Sequence, residues 1–304
     1  MRAIAVTALG GPEVLQIVEY PNPVAGPGQV LVRVRAACVD PADLAARIGD
    51  LPGGADPPPF QPGWDIAGEV AAVGEGVTGY RIGDRVAGMI PWFLTRGRPG
   101  GYAELVAAAA DWLVPVPAGL DLDTAATVPL NALTAHVALD VLPLTRGSTL
   151  LVIGASGGVG GFAVQLAVRR GLRVIAVAND GDEDWVRELG VDEVVPRSAG
   201  LSGAGPVPVV FDAVPVGPLA AAPLVDGGTL ATTRPVAPVE PEGRVRQQLI
   251  LVKLNQLALR ELVLDAAEGR LRTRLAATLP LAEAAEAHRQ LEAGGLRGKI
   301  VLKP

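Results

Sequence analysis

Of the 304 residues, 49% are hydrophobic, 19% charged and 4% aromatic, with 38 glycines, 27 prolines, one cysteine and two histidines, enough chain for two domains with cores of their own. A single cysteine excludes a disulfide framework and any thiolate-rich zinc site, and with only His136 and His288 beside Cys38, carboxylates would have to complete a three-ligand catalytic zinc. The net charge of −6 and pI near 5.1 leave no basic surface for nucleic acid and no polybasic run for an anionic membrane, so small molecules are the expected partners.

The apolar segment Ala3 to Leu9 is cut off by Gly10-Gly11-Pro12-Glu13 before a signal-peptide core develops, and it reads as a first β-strand. Short alternating or apolar runs follow at Val30 to Ala37, Ile66 to Val73 and Arg85 to Met89, separated by turn signals such as Asn22-Pro23, Gly26-Pro27-Gly28 and Gly53-Gly54. This is the texture of an irregular β domain, with Leu51 to Pro62 as a stiff loop that contains Pro57-Pro58-Pro59. From about Asp123 the pattern changes. Leu150 to Ile153 reads as a strand, Gly160 to Arg170 as a helix, Arg173 to Ala178 as a strand, Asp184 to Leu189 as a helix and Val207 to Asp212 as a strand. Such alternation implies a parallel sheet of βαβ units. Further on, Leu281, Ala284, Ala285, His288 and Leu291 share one helical face, Gly294-Gly295 stops that helix, and Lys299 to Leu302 returns to strand. Mean hydropathy is +0.35 and no charge lies between Arg146 and Arg169. Five glycines interrupt the middle of that window, at 154, 157, 158, 160 and 161, so it reads as strand, turn and helix of a soluble, cytoplasmic protein and not as a membrane span.

The segment Leu150-Leu151-Val152-Ile153-Gly154-Ala155-Ser156-Gly157-Gly158-Val159-Gly160 is an apolar strand running into a glycine turn that opens a helix. A dinucleotide pyrophosphate needs backbone N–H donors at a helix N-terminus, and a side chain at the closest glycines would block its approach. The expected cradle is therefore Ser156, Gly157, Gly158, Val159 and Gly160, with Ala155 standing where the usual first glycine would be. The second strand ends Val177-Ala178-Asn179-Asp180, at the place where the ribose is read. Uncharged Ala178 leaves room for a 2′-phosphate, with Arg187 and Arg197 as the nearest downstream cations, whereas Asp180 would suit the free ribose hydroxyls of NAD. NADPH and NADH both stay open. Lys253, Asn255 and Lys299 are further candidates for cofactor phosphates, with plain surface charge as the alternative.

Taken together, Gly10-Gly11-Pro12-Glu13-Val14-Leu15, Pro62-Gly63-Trp64-Asp65-Ile66-Ala67-Gly68-Glu69-Val70, Val73-Gly74-Glu75-Gly76-Val77, Gly83-Asp84-Arg85-Val86, Gly100-Gly101-Tyr102-Ala103-Glu104, the glycine turn and Gly298-Lys299-Ile300-Val301-Leu302 resemble the medium-chain dehydrogenase/reductase superfamily, in its zinc-independent quinone oxidoreductase (zeta-crystallin-like) branch. The resemblance implies an α/β protein. Residues 1–122 and 271–304 would form a GroES-like irregular β-barrel catalytic domain, and residues 123–270 a Rossmann doubly wound parallel-sheet domain. Where zinc enzymes of the superfamily carry a Cys and a Gly-His-Glu motif, the resemblance sets Asp40 and Gly63-Trp64-Asp65 at the corresponding positions, and that loss of ligands implies that no metal is bound. Asp40, Trp64 and Thr134 are then expected around nicotinamide and substrate. Ser156 to Gly160, Ala178, Asn179, Arg197 and Lys299 are expected to hold the cofactor. Trp92 and Phe93 would be apolar walls or loop stiffeners, Tyr102 a loop-shaping residue and His288 a satisfied core histidine. Many members read Asn-Pro-x-Asp-x-Tyr where this chain reads Asp40-Pro41-Ala42-Asp43-Leu44-Ala45, so a carboxylate replaces an amide donor and a phenol is lost. The activity implied is a zinc-independent, NADPH-dependent transfer of hydride to a quinone or α,β-unsaturated carbonyl by a homodimer. The alternatives are an enoyl reductase tailoring a polyketide-like metabolite and a non-catalytic NADPH-binding structural or regulatory protein.

Overall fold

A computed structural model describes residues 1–51 and 54–304; Pro52 and Gly53, which fall in the expected stiff loop and in one expected turn, lie outside the described residues. The chain forms two compact units, one from Met1–Leu130, Leu254–Arg270 and Arg274–Pro304, the other from Asn131–Lys253 and Leu271–Thr273.

In the first unit the long strand Gln29–Val39 organises the sheet. It pairs antiparallel with Asp65–Val73, Leu105–Ala109 and Lys299–Lys303, while Arg85–Met89 and Leu113–Pro115 extend the sheet on one side and Leu275–Pro280 on the other. Along Gln29–Val39 exposed and buried residues alternate, the period of a sheet with one wet face, until Ala36, after which Ala36 to Val39 are all buried. At that buried end the register sets Cys38 against both Asp65 and Val301. The helix Pro41–Ile48 follows at once, with Pro41 in its first turn and the Asp40 amide donating to Asp43 Oδ2 at 2.9 Å, one arm of a capping box.

The second unit is a parallel sheet. Among the described residues its strands lie in the spatial order Glu193–Pro196, Arg173–Ala178, Thr149–Ile153, Val207–Asp212, Leu224–Thr232 and Arg246–Leu249, the 3-2-1-4-5-6 order of the doubly wound dinucleotide fold. Its central strands are near-continuous buried apolar runs, the pattern of a parallel sheet packed on both faces; Leu151, Ile153, Ile175, Val177, Val210 and Leu230 share one core cluster. The first glycine-turn helix runs over Gly158–Arg169 and the next over Glu183–Arg187.

The helix Gln256–Ala267 groups with the first unit, although its place in the sequence suggests the inserted domain. Its first residue explains why: the Gln256 amide donates to the carbonyl oxygens of Ala110 and Leu113 at 3.0 and 2.8 Å. No helix among the described residues is long and apolar enough to cross a membrane.

Candidate functional site

In the second unit the strand Thr149–Ile153 ends at Gly154, whose φ of +85° turns the chain into the helix Gly158–Arg169. No side chain caps that helix, which leaves its first amides available to an anion. A Cβ on Gly160 would stand 2.2 Å from the Gly154 oxygen, so the helix packs on the turn through that glycine. Gly157 differs. Its φ is −89° and the nearest atom to an added Cβ would be 3.3 Å away, so the chain's own packing resists a side chain there only weakly, and a bare backbone serves an approaching ligand. These residues fit a pyrophosphate.

Ser156 Oγ accepts the Asn179 amide at 3.0 Å, tying the turn to the end of the strand Arg173–Ala178. Ala178 is buried and pairs with Pro196, so exposed Arg197 follows one residue beyond that pair. Sheet register thus brings beside the end of the strand Arg173–Ala178 a cation that lies some twenty residues further along the sequence. Asp180 Oδ1 accepts from the Ser198 amide at 3.2 Å and from Ser198 Oγ at 2.8 Å, which ties the Arg197 loop to the same turn. Thr134 is buried on the helix Pro129–Val141. His136 lies half-buried, its Nε2 3.2 Å from Asp140, to which Arg170 also pairs at 2.7 Å.

The first unit buries charge at the end of the strand Gln29–Val39. Asp40 is 1% exposed and Lys299 7%, and Lys299 Nζ stands 2.6 Å from Asp40 Oδ1. Lys299 opens a strand whose next residue, Ile300, pairs with Val39, so strand register sets the ammonium beside Asp40. Desolvation works against that charge, but Asp40 foremost, then Cys38 and Asp65, outweigh it and hold the lysine protonated beyond its usual range. Both oxygens of Asp65 accept the Leu130 amide, at 2.9 and 3.0 Å, where a carboxylate meets the positive end of a helix. Burial, and then Asp40, push its pKa up against that bond.

A second buried group joins Asp40 to the far end of the chain. Asp43 Oδ2 accepts from the Asp40 amide at 2.9 Å and from the Tyr102 hydroxyl at 3.1 Å, and its Oδ1 accepts from the Gly63 amide at 2.8 Å. Burial, with Asp40 beside it, raises its pKa to about 7 against these hydrogen bonds. The Tyr102 hydroxyl lies 3.4 Å from His288 Nε2, His288 Nδ1 lies 3.3 Å from Arg47 Nη1, and Arg47 pairs with Glu292. A guanidinium can only donate, so Nδ1 accepts and Nε2 carries the proton. The string runs one way, Arg47 to His288 to Tyr102 to Asp43. Burial, and then Arg47, push His288 down to about 3, which keeps it neutral.

Trp64 is 5% exposed, with its ring 6.3 Å from Trp92 and 6.2 Å from Phe93, and among the described residues its Nε1 has no hydrogen-bond partner. Trp92 is fully buried, packs edge-on against Phe60 and donates to the Gln61 oxygen at 3.2 Å; Phe93 is half-exposed. A catalytic zinc does not fit this donor set. Asp40 already faces an ammonium, Trp64 offers an N–H in place of an imidazole lone pair, and Asp65 spends both oxygens on an amide. Among the described residues no group of three or more His, Cys, Asp or Glu side chains is placed to hold a metal ion. Sequence reasoning missed both the partner of Lys299 and the Asp43 string. The one local signal was a lysine opening the otherwise apolar strand Lys299-Ile300-Val301-Leu302.

Residues 26–118 match the family described as alcohol dehydrogenase GroES-like domain, and residues 189–302 the family described as zinc-binding dehydrogenase. A quinone oxidoreductase of Pseudomonas aeruginosa is 32% identical, over 100% of this chain and 99% of its own. A 2-methylene-furan-3-one reductase of Solanum lycopersicum is 29% identical, over 100% of this chain and 79% of its own. Among solved structures, the quinone oxidoreductase from Coxiella burnetii is similar with a TM-score of 0.86 and 30% identity, covering 100% of this chain and 99% of that one.

Proposed function

The chain belongs to the medium-chain dehydrogenase/reductase superfamily, with quinone oxidoreductases among its relatives, and from that premise we propose a zinc-independent, NADPH-dependent reductase of quinones or α,β-unsaturated carbonyls. The observation that carries the reading is the Asp40–Lys299 pair with Trp64 beside it in sequence order at Gly63-Trp64-Asp65: the positions that serve a metal in zinc enzymes hold an ion pair and an indole. An acceptor reduced here has to be electrophilic through its own conjugation. The quinone oxidoreductases of Pseudomonas aeruginosa and Coxiella burnetii support the quinones, and the 2-methylene-furan-3-one reductase of Solanum lycopersicum supports the enones.

A bound reduced nicotinamide supplies hydride. Ser156, Gly157, Gly158, Val159 and Gly160 hold the pyrophosphate on the uncapped helix start, and Ala178 and Asn179 line the ribose. Arg197 takes the 2′-phosphate. This is supported by its register beside Ala178 and by the engagement of Asp180 with Ser198. Asp40 and Trp64 act on the acceptor, Lys299 acts at Asp40, and Thr134 acts on the nicotinamide. The working form is a cytoplasmic homodimer joined along the edge strand Arg246–Leu249.

Oxidation of NADPH and NADH, followed with a quinone, an enone and a saturated ketone, tests the reading. Multiple turnovers with a conjugated acceptor and none with the saturated ketone are expected. NADPH binding without turnover of any conjugated acceptor would replace the reductase with the non-catalytic alternative. Arg197→Ala should raise the KM for NADPH about tenfold, the scale of one charge-assisted hydrogen bond, and leave that for NADH unchanged. An equal change for both cofactors would remove Arg197 from the phosphate site.

A further inference from the structure

Lys299 is a buried cation with capacity to spare. An ammonium has three N–H donors, and among the described residues its side chain has one hydrogen-bond partner, Asp40 Oδ1 at 2.6 Å, while 8% of the side chain is exposed. A buried donor without an acceptor forfeits its hydration for nothing in return, so the other two N–H groups suit an oxygen that arrives carrying charge. The groups around Lys299 cannot do that work. Asp40 faces the ammonium itself, Asp65 spends both oxygens on the Leu130 amide, and the thiol of Cys38 faces the Val39 carbonyl at 3.8 Å. Asp40 therefore balances the ammonium and orients it, and leaves donation to Lys299.

We propose that Lys299 receives the carbonyl oxygen of the conjugated acceptor, its fixed charge standing where zinc-binding dehydrogenases use a metal; the proposal rests on the reductase reading above. The C–H bond that forms at the β-carbon of an enone would take the electron pair of the C–H bond that breaks at the reduced nicotinamide, which is oxidised as the enone is reduced. The C=C pair then becomes the new Cα–carbonyl double bond, and the C=O pair becomes a lone pair on an enolate oxygen. Against that oxygen the Lys299 N–H bonds tighten. Lys299 keeps its proton, because Asp40 favours the charged form, and the last proton of the product comes from water. With a quinone the same oxygen becomes a phenolate.

The decisive comparison is Asp40→Asn against Asp40→Asn/Lys299→Met, two proteins that differ only in the N–H donors at position 299 and contain no buried carboxylate stripped of its partner. Asp40→Asn removes the balancing charge and a residue placed at the acceptor, so it should turn over an enone more slowly than the parent, and it serves as the reference. The double variant should fall about 100-fold below it at saturating NADPH, the scale of one lost oxyanion donor, with its Kd for NADPH within about twofold. Double-variant turnover equal to that of Asp40→Asn would mean that Lys299 only neutralises Asp40 and would overturn the proposal. A loss confined to the Kd for NADPH would do the same, because it makes Lys299 a cofactor-phosphate ligand. A second readout needs no turnover. With the oxidised cofactor bound, 4-nitrophenol titrated by its phenolate absorbance should ionise about one pH unit or more lower on the parent than in buffer, and should lose that shift on the double variant. An unshifted titration on the parent sinks the proposal even if the double variant does not fold. A shifted one on a parent that reduces nothing would support the oxygen site while the reductase reading fails.

Discussion

With Arg47 donating to its Nδ1 and its ring fully buried, His288 stays neutral down to about pH 3, whereas in the unfolded chain a histidine titrates near 6.5. Between these values the unfolded state binds the extra proton, so the contribution is complete above about pH 6.5 and is lost as pH falls toward 3. Roughly 2 kcal/mol has gone by pH 5. Asp43 has the opposite sign. Raised to about 7, its folded form holds a proton that the unfolded carboxyl releases near 4, so its contribution is present below about pH 4 and is lost as pH rises toward 7. His288→Gln, neutral at every pH, separates the two. Urea unfolding at pH 7 and pH 5 should show the parent losing about 2 kcal/mol more than the variant, and equal losses would mean that His288 is not the group that titrates. The helical face Leu281 to Leu291 made the burial of His288 legible in the sequence. Its partners were not legible, since Tyr102 and Arg47 stand 186 and 241 residues away. Lys299 was legible as a cofactor candidate, but its contact with Asp40 spans 259 residues and depends on which strand lies beside Gln29–Val39.

The turn after Thr149–Ile153 was readable because everything it needs is local: an apolar strand, a run of glycines and a helix within some twenty residues. Its glycines nonetheless divide into two kinds. Gly160→Ala drives a Cβ into the Gly154 carbonyl and should lower the Tm by several degrees, as close-packed backbone has nowhere to go. Gly157→Ala should leave the Tm nearly unchanged and weaken NADPH binding by about tenfold or more, because only the ligand needs the space. Thermal unfolding with and without NADPH measures both, and a Gly157→Ala protein that binds like the parent would move the cradle elsewhere. Other elements hid for physical reasons. Leu224–Thr232 carries Asp226-Gly227-Gly228 in its middle, a breaker by composition, yet its second half is buried beside Val207–Asp212. Arg246–Leu249 reads Arg-Gln-Gln-Leu and shows no buried face, because among the described residues it is the sheet's last strand and has a neighbour on one side only.

At the scale of the whole molecule, the change of texture near Asp123 made two domains legible, and the order of strands made one of them a nucleotide fold. Where the chain passes between units was not legible, because the helix Pro129–Val141 is continuous across Leu130, whose amide is fixed by Asp65 in the first unit. The edge strand Arg246–Leu249 leaves one line of backbone groups without a strand neighbour, with Leu249 and Leu251 39% and 56% exposed nearby. Light scattering should accordingly give twice the chain mass of 31.1 kDa, and Leu249→Lys/Leu251→Lys should halve it; a parent that stays monomeric at micromolar concentration rules the dimer out. The chain's one sulfhydryl bears on the chemistry proposed for it. Quinones and enones are Michael acceptors that alkylate thiolates, and Cys38, fully buried and kept protonated by desolvation and by Asp40, presents neither the access nor the anion that such attack requires. If quinones or enones are its acceptors, the protein offers them no accessible thiolate.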